Sequence, residues 1–134
     1  MNKKNEIVLI NIYIFIIYII NIMEQNVIEK ELLNNQSKLY TMNNLLKQHQ
    51  FSEEFLINTR EYYDSWKCIR TQNNLSPYFC FRYLYDTPEY DSADDWTDYK
   101  EIEQYLLKRN HSITNIENAM IKAMNDRKIE DDNK

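Results

Sequence analysis

The chain has 134 residues, no glycine, two prolines, eleven tyrosines and a net charge of -5, which bounds it to one small domain with a modest core. Without glycine, loops that cradle phosphates or dinucleotides lack the residue that permits close backbone approach or positive φ, and tight two-residue hairpins lose their usual turn residue. P-loop, Rossmann and hairpin-rich all-β folds are disfavoured, helices joined by polar turns are favoured, and a mildly acidic chain gives no electrostatic reason to expect nucleic acid.

Residues 7–23, IVLINIYIFIIYIINIM, are apolar apart from Asn11 and Asn21. As a helix they would run roughly 25 Å at ~1.5 Å per residue, the short end of a membrane span. Lys3 and Lys4 precede the run and Glu24 follows it, so an anchor would keep its N-terminus on the cytoplasmic side. Three readings stay open for residues 1–23: a membrane anchor, a targeting segment, or an extension upstream of a native start at Met23. None makes it part of the folded core. That core falls in 24–126, with a disordered tail expected over 127–134.

Residues 24–50 read as one helix, with Ile28, Leu32, Leu39, Met42 and Leu46 at alternating four- and three-residue spacings and Asn35 in the polar slot. Such a stripe suits a bundle face or a coiled-coil seam. Ser52 caps a second helix, with Glu53 and Glu54 in its first turn. Phe55, Tyr62, Trp66 and Ile69 form its face, Thr59 is a gap in that row, and Tyr63 lies beside it. The polar run 71–74 ends the helix. Ser76-Pro77 then starts a short aromatic one, because serine caps and proline fits the first helical position. The two make a helical hairpin around residues 53–86, with Cys68 closing one arm and Cys80 opening the other.

Residues 86–98 carry six carboxylates and no basic side chain. They lack the central glycine and closing glutamate of a calcium loop, so they read as caps rather than a metal site, with Ser92 and Asp95 forming a capping box. A helix over about 93–109 shows Trp96, Tyr99, Ile102 and Leu106 on one face, and Asn110 is a left-handed stop. Thr114 and Glu117 make a capping box for a final helix.

No catalytic constellation emerges. His49 and His111 stand apart from any cysteine or carboxylate at ligand or nucleophile–base spacing, and no cofactor motif is present. The cysteine pair has eleven residues between its members and the bend lies inside that interval. A disulfide is geometrically allowed there, and two reduced, half-buried thiols fit the spacing equally well.

With its cysteines facing across a bend, SWKCIRTQNNLSPYFC resembles the CHCH, or twin CX9C, proteins of the mitochondrial intermembrane space. The downstream DDWTDYKEIEQYLLKR is similar to the charged, Trp-containing helix that follows the motif in a small respiratory-chain accessory subunit. The resemblance covers residues 63–108 and matches only the inner cysteine pair, since Asn58 and Tyr90 stand at the outer positions. It implies a disulfide-stapled, non-catalytic subunit in the mitochondrial intermembrane space or inner membrane.

The expectation is thus an all-α bundle of four to five helices that works through other protein subunits. Phe55, Tyr62, Trp66, Phe79, Phe81, Trp96 and Tyr99 are the candidate interaction residues. Residues 7–23 offer membrane association. The alternatives are a cytosolic or membrane-anchored adaptor using the 28–46 stripe, and a secreted or exported helical protein.

Overall fold

The computed structural model describes residues 2–86 and 97–134. Expectations that fall on 87–96, including the Ser92–Asp95 capping box and Trp96, lie outside the described residues. The fold is all-α: α1 (Lys3–Leu33), α2 (Gln36–Leu39), α3 (Met42–Gln48), α4 (Glu53–Asn58), α5 (Ser65–Thr71), α6 (Pro77–Phe79) running into a π turn (Cys80–Leu84), α7 (Tyr99–Lys108) and α8 (Ile113–Asp132). Among the described residues the only β pairing is a single parallel bridge between Tyr85 and Thr97, held by Asp86 N–H on Thr97 O at 2.9 Å and Thr97 N–H on Leu84 O at 3.2 Å.

Two expected long helices are each broken, and in both cases a short polar side chain does it. The 24–50 helix stops at Leu33, where Asn35 leaves helical geometry and its Oδ1 accepts from Lys38 N–H and the Ser37 hydroxyl. Thr41 then donates its hydroxyl to Lys38 O at 2.6 Å. Such side chains offer the backbone partners outside the helix, so they end helices that apolar periodicity alone would continue. The helix after Ser52 stops at Thr59, which is fully buried and donates to Phe55 O at 2.8 Å. A 3-10 turn, Arg60–Tyr62, follows, and Asn43 Oδ1 receives Asp64 N–H at 2.9 Å as α5 begins.

These breaks turn a small bundle into stacked helix pairs. α3 packs on α5, and α6 with its π turn packs on α8. The stripe Leu32, Leu39, Met42 and Leu46 is buried in the chain's own core, and Ile28 packs against it. Among the described residues this stripe therefore faces the chain's own core.

The caps at Ser52 and Ser76-Pro77 form as expected, each serine Oγ accepting an N–H three residues on at 3.2 Å. Asn110 takes φ 68, the left-handed stop. The last helix is capped by Ser112, which accepts from Asn115 N–H at 3.1 Å, and not by Thr114. It continues to Asp132, beyond the expected boundary at 126. Arg127 holds it there, donating to Phe81 O and Tyr85 O at the end of the π turn, and Asp126 accepts from the Tyr78 hydroxyl at 2.6 Å.

Candidate interaction surfaces

The bends between paired helices are tied in series. Glu29 of α1 accepts both the N–H (2.6 Å) and the hydroxyl (2.9 Å) of Ser52. Glu53 of α4 does the same for Ser76, at 2.6 and 2.9 Å. Gln72, fully buried at the end of α5, accepts Phe51 N–H and donates to Leu46 O and His49 O, closing the first bend. Tyr105 of α7 closes the second through its hydroxyl, which accepts Leu75 N–H and donates to Gln72 O. Glu29, Glu53, Gln72 and Tyr105 are thereby committed to backbone and caps and hold the stack together, whereas the buried Thr97 Oγ1 has no hydrogen-bond partner.

Glu29 and Glu53 stand 24 residues apart, as do Ser52 and Ser76, Phe51 and Leu75, and Phe55 and Phe79. This recurrence, readable as FSEEF and LSPYF, is the signal that reasoning from single helices missed. In both places a glutamate 23 residues upstream holds a helix-capping serine through its N–H and hydroxyl.

The predicted aromatic surface divides. Phe55, Phe79 and Phe81 are at most 2% exposed and belong to the core, so they have no face to offer a partner. Tyr62, Trp66 and Tyr99 are half-buried, and Trp96 lies outside the described residues. Tyr62 meets the exposed Tyr40 edge-on at 5.5 Å. Trp66 lies under two cations, Arg70 at 4.8 Å and Lys67 at 5.2 Å from its ring. Tyr99 packs beside Phe81 and Tyr85. A cleft of about 500 Å³ opens where the loop between the pairs turns, lined by Asn43, Arg60, Tyr62, Asp64 and Tyr83 among others, and Arg60 stacks on Tyr83 at 4.9 Å.

Cys68 and Cys80 are free thiols and fully buried. The disulfide allowed by their spacing is not formed. Burial pushes Cys68 up to about 12, against a smaller opposing effect of its hydrogen bond with Tyr63. Burial raises Cys80 as well, followed by its proximity to Cys68. They behave as small apolar residues where α5 meets the π turn. Among the described residues no group of three metal-ligating side chains assembles.

Among the described residues a long uncovered apolar stretch lies on α1. Ile7 through Ile20 are exposed on every side of the helix, and the 18-residue apolar window is entirely unburied. The burial begins only near its end, with Glu29 and Leu32. A helix that is apolar on one stripe seeks a core, whereas one that is apolar all round seeks an apolar medium. No family model, curated protein or solved structure matches the chain.

Proposed function

We propose that this chain is a non-catalytic accessory protein anchored to a membrane by α1, presenting a small stack of helix pairs to other protein subunits. The observation that carries this reading is that α1 passes unbroken from an all-round apolar, uncovered segment into the core of the domain. At ~1.5 Å per residue its 31 residues extend about 46 Å, enough to cross a hydrocarbon layer of about 30 Å and still enter the domain. Lys3 and Lys4 lie immediately before the span, whereas the first basic residue after it is Lys30, which favours an N-terminus on the positive-inside face and the domain on the opposite face. The commitment of buried polar groups to bends and caps supports a binding role over an active site.

The resemblance to CHCH proteins favours the mitochondrial inner membrane, with the domain in the intermembrane space. The placement is part of the proposal; the disulfide is not. The test is fractionation of cells expressing the chain with a C-terminal tag. Full-length protein should stay in the pellet on alkaline carbonate extraction, co-fractionate with mitochondria, and lose its tag to protease once the outer membrane is opened. Release by alkali would refute the anchor, and a pellet that separates from mitochondria would refute the location alone.

A further inference from the structure

We infer that the end of the domain beside α1, formed by the bends 47–51, 71–75 and 108–112, rests on phospholipid headgroups and binds their phosphate oxygens. This rests on α1 being a membrane span. The three bends are joined in a row. Gln25 of α1 donates to Gln50 O at 2.8 Å. Gln50 in turn donates to Thr71 O at 2.7 Å and accepts Asn73 N–H at 2.8 Å, and Arg109 donates to Asn73 O at 2.7 Å. The row also meets the apolar segment, because Gln48, His49 and Asn74 line a cleft of about 410 Å³ with Tyr18, Asn21 and Ile22. From Lys3 to Ile17, α1 extends only about 22 Å at ~1.5 Å per residue, short of a hydrocarbon layer about 30 Å thick. The span therefore has to continue to about Ile22. The bends then stand at the level of the headgroups, which add roughly 5–7 Å on each side.

The charge of this end matches that layer. The chain carries 21 acidic residues against 16 Lys and Arg, yet the three bends contain no carboxylate. They hold Lys47, Lys108, Arg109 and both histidines, His49 and His111, with amide side chains between them. Lys47 and Lys108 are exposed, and the ion pairs among the described residues use other cations. Glu24, on α1, is the one carboxylate lining the cleft. The opposite end, where α4 stops and α5 begins, presents Arg60 together with Glu61 and Asp64. Ammonium and guanidinium groups are drawn to anionic phosphate, and amide N–H groups donate to its oxygens. A protein partner on these bends would have to lie within the headgroup layer itself, which lipid already fills.

The test reconstitutes the full-length chain alone in vesicles of phosphatidylcholine with about 30% phosphatidylglycerol. A fluorophore is attached to Gln48→Cys, to Asn74→Cys or, at the opposite end, to Glu61→Cys. All three positions are exposed, whereas Cys68 and Cys80 are buried away from the label. A nitroxide carried on the lipid headgroup should quench the labels at Gln48 and Asn74 at least ~3-fold more than the label at Glu61. The Lys47→Glu/Lys108→Glu double variant should lower that excess about twofold. Equal quenching at the three positions, or an excess that the charge reversal leaves unchanged, would overturn the inference. Alkaline extraction of the same vesicles separates the two readings. Released chain refutes the anchor and this contact together, whereas retained chain with equal quenching refutes only the contact.

Discussion

The Glu29 carboxylate holds Ser52 by two atoms at once, its backbone N–H at 2.6 Å and its hydroxyl at 2.9 Å. Ser52 in turn caps α4, so this pair is the joint through which α1 is fastened to the first bend. Charge-assisted hydrogen bonds of this kind contribute about 1.5–3 kcal/mol when one partner is removed. Glu29→Ala should therefore lower stability by about 2 kcal/mol, read as a reduced urea midpoint with unchanged slope. Glu29→Gln, which keeps one acceptor, should lose about half as much.

Gln72 is the more sensitive position, because one amide serves three backbone groups. Replacing it with Leu preserves volume and strands Phe51 N–H, Leu46 O and His49 O at a buried bend. The expected cost is about 3 kcal/mol, the upper part of the range for an unsatisfied buried site. Asn74→Leu, an exposed neighbour on the same loop, should stay within about 0.5 kcal/mol of wild type. A thermal-shift comparison of the two decides it.

What the sequence disclosed and what it concealed divide along physical lines. Ser52, Ser76-Pro77 and Asn110 act on their own backbone, so local chemistry predicts them. The apolar stripe through Leu39, Met42 and Leu46 was equally legible as buried surface. Its owner was not, since periodicity reports which face avoids water but not whether this chain or another covers it. That is why Phe55, Phe79 and Phe81 looked available for a partner. The breaks at Asn35 and Thr59 were hidden for a different reason. A mid-helix Thr or Asn is neutral until tertiary packing decides whether its hydroxyl or amide competes for the backbone. At Thr59 the break also turns the chain, so that Tyr63 becomes buried, with its hydroxyl on Leu56 O, while Tyr62 stays partly exposed.

The thiols give a pH prediction with a definite sign. Cys68 is raised from 9.0 to about 12 by burial, and Cys80 is raised for the same reason. Tyr63 and Tyr105 are also raised from 10.0, chiefly by burial. The folded chain keeps these protons while the unfolded chain releases them, so the unfolded state binds fewer protons above about pH 9. Stability from these groups is intact below that pH and is lost as pH rises towards 12. Chemical denaturation at successive pH values should show a flat plateau and then a steep alkaline fall. At pH 8 the native chain should resist iodoacetamide, and the unfolded, unreduced chain should titrate two thiols. A count of zero would restore the disulfide that the hairpin spacing allowed.

The domain should survive without its anchor. Every core residue lies at or beyond Leu32, and the one buried residue ahead of it, Glu29, is also C-terminal to Met23. A chain beginning at Met23 keeps the Glu29–Ser52 joint and the Gln25–Gln50 contact. It discards the exposed apolar surface from Ile7 to Ile20. That variant should be soluble, helical and cooperative in unfolding, and should leave the membrane fraction entirely. Full-length Ile14→Arg provides the complementary measurement. A charge near the middle of the span costs about 2.5–3.5 kcal/mol of insertion, so this variant should shift substantially into the alkali-extractable fraction while its domain still unfolds at the wild-type midpoint. If the Met23 form aggregates or fails to unfold cooperatively, the first part of α1 is part of the fold, and the separation between anchor and domain is wrong.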